Sequence, residues 1–379
     1  MKLRVFLLML MLGLTQQFSL ATLITNSSFN VAPPVFNGVI AFSDAKRFGI
    51  QQLLDTRKCA SCDLRDAQLI FEVLSGANLE GADFSGADTT SSNFDAANLK
   101  GAKLSFARFN LTMLNGANLD NTECLKTIFR NSYLNNTSFK NADLTQAVLN
   151  GAEAIEAKFN NAILTKVDMQ NINAARAIFK GAQAEYMIAD RGNFDVADLT
   201  GMNGRFISFA KSSIQQANLN DADFTMGNFE YADLFKSTLR NTNLTSATFK
   251  NASLKGSDLS TAILDGADFS SADIYDSKIT DAQLQKILLC NTRVSDGTIS
   301  NRDCDKIKQL QETVTQKIEA PSNPSNQTPP TPPSEEPKVG TTPPAKTTPS
   351  TFTAGMGTGA PFHTADPAHT YQSSAEGVK

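Results

Sequence analysis

Two groups of residues in this chain have the types and spacing for chemistry: a Cys59-x-x-Cys62 pair and a long series of evenly placed carboxylates. A CxxC pair performs thiol–disulfide exchange when it follows a strand and opens a helix within a βαβ unit. Here it follows a helical segment and precedes a repetitive one, the opposite order, so a structural role is expected. Zinc would need two further ligands, and neither a second CxxC nor a nearby His exists. The carboxylates Asp83, Asp143, Asp198, Asp233 and Asp268 all recur at one position of the repeat. Sugar hydrolysis needs two carboxyl groups in unlike environments, whereas a repeat supplies like ones. The two histidines, His363 and His369, lie near the C-terminus, so a His-based general base or metal site is not open to most of the chain. The residues therefore imply no enzyme, no cofactor and no metal site.

The element that must position these residues is a repeat of period five. Every fifth residue from Leu64 to Leu284 falls in one register, and 38 of those 45 positions are Leu, Phe, Ile or Met. Two residues earlier the side chain is nearly always small, most often Ala, as in Gly76-Ala77-Asn78-Leu79 and Gly266-Ala267-Asp268-Phe269. Five is neither the helical period nor the strand period. It calls for a path that turns one large and one small side chain inward and then rounds a corner on polar residues. One turn cannot bury its own apolar row; only stacked turns can.

These repeats resemble the pentapeptide-repeat family, whose unit is A-(D/N)-L-x-x, over about residues 59–290. The resemblance implies an all-β fold, a right-handed quadrilateral parallel β-helix with four units per coil. Forty-five units then make about 11 coils, roughly 54 Å of rod at ~4.8 Å per stacked strand. Residues 53–64, with the CxxC, are similar to the helix and segment that open many members of the family. Cys290-Asn291-Thr292-Arg293-Val294-Ser295-Asp296-Gly297-Thr298 and Cys304 resemble a recurrent closing loop. Short capping helices are expected at both ends, since open solenoid ends expose unpaired edges. Ser43 is placed to cap the first, with Phe48 and Leu53 on its apolar side. Cys290 and Cys304 close a loop of about fifteen residues, which chain entropy values at ~3 kcal/mol; a Cys290–Cys304 disulfide is expected, with Cys59–Cys62 as a second pair. Cys124 takes an inward slot as a small core residue.

The ends of the chain differ in kind from the rod. Lys2, Arg4, the apolar run from Val5 and Ser19-Leu20-Ala21 have the three-part pattern of a signal peptide over 1–21. Export to the periplasm or medium follows, with oxidation available to the cysteines and no stable membrane insertion after cleavage. Residues 22–58 form an N-terminal segment and capping helix, 59–290 the solenoid, and 291–320 a cap loop and amphipathic helix. Ile307, Leu310, Val314 and Ile318 mark that helix, which covers the last coil or pairs two subunits, leaving monomer and dimer both open. Residues 321–379 hold 12 of the 14 prolines and few large apolar residues, so a disordered tail with a reach of about 45 Å is expected.

The function implied is a non-catalytic, exported interaction or scaffold module with a protein partner. No nucleic-acid partner is expected, because the chain carries a net charge of −4 and no clustered basic face. Some pentapeptide-repeat proteins resemble duplex DNA and protect gyrase, which is the alternative reading. The rod here carries 27 acidic and 19 basic residues between Asp63 and Gln285, only −8, and a leader that would remove it from gyrase. A β-helix carbohydrate-active enzyme is the second alternative. One band breaks the rule of the rod. Ala or Gly fills the large slot at Ala154, Ala174, Ala184, Ala189 and Gly204, and the small slot grows at Val167, Ile172, Met187, Met202 and Ile207. Either volume has moved between two inward positions, or the altered contour is a partner surface with Tyr186, Arg191 and Arg205 as anchors.

Overall fold

The computed structural model of the protein describes residues 44–309 and 312. The expected leader, Ser43, the remaining stripe residues Leu310, Val314 and Ile318, and the Pro-rich tail lie outside the described residues.

From Lys58 to Arg293 the outward residue of a unit forms a parallel bridge with the residue twenty positions later, as in Asn218↔Thr238 and Asp223↔Asn243. Twenty residues are four units, so each coil has four sides. Each side contributes one bridged residue before the chain turns, which is why no long strand forms. The inward Leu219 amide donates to Thr238 O at 2.8 Å, the Asn218 amide to Ala197 O at 2.9 Å, and the corner Asp221 amide to Arg240 O at 2.9 Å. Each corner is closed by a four-residue turn, such as Ala147 N to Leu144 O at 2.8 Å. Its third residue has positive φ, for example Asn121 at 58° and Gly101 at 65°. That is the type II turn, and Asn and Gly recur there because they reach the left-handed region at least cost.

Both inward positions are buried along the rod, Leu219 and Phe224 included. In two columns identical rings stack from coil to coil. The rings of Phe139, Phe159 and Phe179 lie 5.1 and 4.8 Å apart, and those of Phe229, Phe249 and Phe269 lie 4.8 and 4.7 Å apart. The outward Asn218 and Asp223 are half-buried rather than fully exposed, because the bridged residues above and below cover their flanks.

Helix α1 (Asp44–Thr56) precedes the first coil. Its buried face carries Gly49 and Leu53, with Ile50 packed against the same core. Phe48, expected on that face, is 71% exposed. Positions 48 and 53 are five apart, about 140° around a helix, so one face cannot hold both. At the far end the five-residue register is kept through Leu284, but the coil conformation is interrupted before it. Helix α2 (Asp281–Leu284), with Thr280 and Gln283 forming a capping box, replaces one unit. The Gln283 side chain takes over the missing bonds, donating to Leu259 O at 2.7 Å and Ala262 O at 2.8 Å. The coil then resumes in register at Leu288. Two short antiparallel strands, β1 (Thr292–Arg293) and β2 (Ile299–Ser300), form the closing loop, and residues 304–309 are helical.

Leu219→Ala is expected to cost roughly 2–5 kcal/mol, the range for truncating a buried Leu, and Asn218→Ser under about 0.5 kcal/mol, as for a surface change. Urea denaturation of the two variants checks this; equal losses would show that the inward register is misassigned.

Candidate functional site

The repeated carboxylates have a structural task. The amide following an inward large residue points away from the coil-to-coil bonds, and in many units a side chain satisfies it in either of two ways. In the first, the outward Asp or Asn two residues earlier accepts: Asp83 Oδ1 from Ser85 N at 3.0 Å, Asp143 Oδ1 from Thr145 N at 2.9 Å, Asp233 Oδ1 from Phe235 N at 3.0 Å. In the second, a residue one coil back accepts: Asp95 Oδ1 from Asn115 N at 2.8 Å, Asp195 Oδ1 from Gln215 N at 2.9 Å. Asp and Asn suit these slots because a short acceptor reaches a nearby amide. Each carboxylate so engaged is a turn element.

Asp258 is the exception to equivalence. The residue is 6% exposed, and its Oδ2 receives Arg240 Nη2 at 2.7 Å and Lys278 Nζ at 3.4 Å, while Oδ1 receives Ser260 N and Oγ. Burial alone would push the carboxyl up; the Arg240 guanidinium, the Ser260 hydroxyl and amide, and Lys278 hold it well below the usual carboxylate range. A carboxylate fixed in the ionised state by two cations serves as a tie between three coils.

Cysteine chemistry is likewise closed. Cys59–Cys62 and Cys290–Cys304 are disulfides, the latter with Cα atoms 4.7 Å apart. Cys59 Sγ lies 3.1 Å from Gly49 O, so the first pair packs against the middle of α1. Cys124 is free and fully buried, and burial pushes its thiol up to about 12, far from the reactive thiolate. Among the described residues no group of three His, Cys, Asp or Glu side chains is placed to hold a metal ion.

The band from 154 to 207 keeps both inward positions buried. Volume is exchanged between coils as well as within units. A Cβ on Gly204 would sit 2.7 Å from two ring atoms of Phe224, so that ring fills the slot Gly204 leaves. Gly192 likewise faces Phe194 and Ile172, and Gly227 faces Phe229 and Ile207. Outside this band's core, Tyr186 is a corner residue, 47% exposed. Its ring stacks on Phe206 at 4.8 Å and 3°, and Lys166 Nζ lies 5.9 Å from its centroid. Arg205 precedes Phe206 at the same corner, whereas Arg191 stands on the next corner, donating to Asn171 Oδ1 and Gln170 Oε1, both at 2.9 Å. The structure thus brings Tyr186 and Arg205 together and separates Arg191 from them. Phe206 and Met226, one and two coils beyond Tyr186, escape a reading in steps of five; a step of twenty residues finds them.

The fold and its surface define a parallel β-solenoid built of four-sided coils. The profile for pentapeptide repeats matches in eight copies, covering residues 60–89, 92–165 and 205–289. The chain belongs to the pentapeptide-repeat family. The profile leaves out 166–204, the coils in which Ala174, Ala184 and Ala189 hold the large slot. Solved structures similar to the chain include HetL, a pentapeptide repeat protein involved in heterocyst differentiation regulation in the cyanobacterium Nostoc sp. strain PCC 7120. It is 20% identical over 66% of this chain and 97% of that one, with a TM-score of 0.21. A pentapeptide repeat protein of the Arabidopsis thaliana thylakoid lumen is 25% identical over 27% and 71%, with a TM-score of 0.26. A trypsin-treated variant of QnrB1, a plasmid-mediated fluoroquinolone resistance protein, is 20% identical over 55% and 98%, with a TM-score of 0.30. No curated protein sequence matches the chain.

A depressed carboxyl pKa stabilises the fold above the unfolded value, ~3.9 for Asp, and that contribution is lost as pH falls toward the folded value. Asp258→Asn is therefore expected to cost about 1.5–3 kcal/mol at pH 7, the range for a charge-assisted hydrogen bond. The gap from wild type should narrow below about pH 4. Thermal melts of both proteins between pH 7 and 2 check it; a gap independent of pH would show that the carboxylate charge plays no part.

Proposed function

We propose that the chain is a non-catalytic interaction module exported to an oxidising compartment, acting through the outer surface of a right-handed rod. The observation that carries this reading is the exposed ring stack of Tyr186 and Phe206, with Arg205 beside it, at the edge of the stretch that the family profile passes over. Side chains kept for folding alone face inward or serve the corners. These two rings do neither, and aromatic and Arg side chains are favoured anchors at interfaces. The carboxylates engaged in turns and the buried Cys124 thiol support the non-catalytic reading. Two disulfides and the leader-like residues 1–21 fit export.

Tyr186→Ala, Arg191→Ala and Arg205→Ala together should leave the melting temperature within a few degrees and weaken capture of the partner in a cross-linking pull-down. Undiminished capture would reduce the band to repacked core. Fractionation of the tagged full chain tests export separately, and retention in the cytosol would return the gyrase-binding alternative.

A further inference from the structure

The coil sorts its outward residues into columns, and the columns are not alike. One corner carries Phe106, Lys126, Gln146, Lys166, Tyr186, Phe206 and Met226 in successive coils, twenty residues apart. The next corner carries Leu111, Arg191, Lys211 and Tyr231, and the side between them Ile128, Val148 and Ile188. Phe106, Leu111, Met226 and Tyr231 are each at least half exposed, Met226 at 53% and Tyr231 at 57%. The corner that carries Asn121, Asn141, Asn161 and Asp221 has no exposed large apolar side chain among its described residues. Exposed large apolar side chains concentrate on the side bounded by the Phe106 and Leu111 corners, with Tyr133, Ile163, Val196 and Ile263 scattered singly on the others.

Cations accompany the rings on the apolar side. Lys126 Nζ lies 5.7 Å from the Phe106 centroid, and Lys166 and Lys211 lie 5.9 Å from Tyr186 and Tyr231. Arg130 and Arg205 add to this side. Of the acidic residues interspersed there, Asp168 and Asp190 are engaged in local bonds, Asp168 to the Gln170 amide and Asp190 to the Ala210 amide and Ser208 hydroxyl; Glu185 and Glu230 dilute the positive charge. A rod whose residues sum to −8 thus turns an apolar, cation-studded side outward.

We infer that this side adsorbs to an anionic lipid bilayer, an inference that rests on the outward-acting reading above and names its partner. Two corners of one side stand at the same height over about 30 Å of rod, some six coils at ~4.8 Å each. A plane fits that outline better than a groove does. The Tyr186 and Phe206 rings stack on each other along the axis, so their edges point outward and their faces are not free to stack on a sugar. Rings with adjacent Lys and Arg on flexible stems suit the headgroup boundary, where the ring enters apolar surroundings and the ammonium stays at phosphate.

The test is flotation of the full chain with vesicles of phosphatidylcholine alone or with 30% phosphatidylglycerol. Wild type should float with the anionic vesicles, less so in 0.5 M salt. Tyr186→Asn, Phe206→Asn and Met226→Asn together should weaken binding about tenfold, equivalent to 1.4 kcal/mol; Asn tolerates the positive φ of these corners. An environment-sensitive dye on Met226→Cys should shift blue on anionic vesicles and one on Asn141→Cys should not, which separates this side from any adsorption by residues 1–21. No dye shift at position 226, or flotation indifferent to the triple variant with equal shifts at both positions, overturns the bilayer inference. If the pull-down still depends on Tyr186 and Arg205 in that case, the module reading stands with a protein partner instead.

Discussion

The hydrogen bond from one coil to the residue about twenty positions on is the constraint from which the rest of the molecule follows. It fixes the distance between like positions at one strand spacing, so every side chain has its counterpart directly above and below. Inside, this sets Phe on Phe in columns such as Phe229–Phe249–Phe269, and a slot left empty by Gly204 must be filled from a neighbouring coil, here by Phe224. Outside, it makes each corner a column whose members share exposure and direction. The same bond leaves one amide per unit without a backbone partner. In many units an Asp or Asn of the repeat accepts it, as Asp143 accepts from Thr145.

A structure made of nearest-neighbour bonds has vulnerable ends, since the first and last coils lack a partner on one side. Both disulfides fall there. At the C-terminal end, Asp303 Oδ2 accepts the Leu289 amide at 3.0 Å and Arg302 Nε at 2.9 Å, replacing bonds that a further coil would have made. Burial would raise the Asp303 carboxyl, but the Arg302 guanidinium and the Leu289 amide hold it down, so the closing contact stays ionised. Helix α2 solves a related problem inside the last coil, where the Gln283 amide group substitutes for main chain.

The solenoid is legible because its signal repeats: one inward slot read every five residues yields the core, the polar positions and the irregular band. What the period of five does not carry is the number of sides, which decides lateral neighbours. Tyr186 and Arg205 differ by nineteen residues and share a corner; Arg191 is only five from Tyr186 and does not. Asp258 looks like any other outward Asp, and only its neighbours Arg240 and Lys278, eighteen residues before and twenty after, set it apart. Phe48 departs from expectation for a simpler reason, since nearness to Leu53 in sequence does not put an apolar residue on the same face unless the helical angle agrees.

Stability in such a rod is close to a sum of local terms, and the corner side chains contribute little to it. Phe206 holds a left-handed corner at φ 59° that Gly or Asn would hold at less cost, so its presence is not explained by the turn. Nor is it explained by burial, since its ring rests mainly on Tyr186 and Lys166 lies over the far side of that pair. A residue that is locally unfavourable and largely outside the core is the kind of side chain the proposed outward-acting surface calls for. The corner can diverge in this way because the bonds that define the coil run through the backbone and the inward slots, leaving its outward composition free to suit a partner.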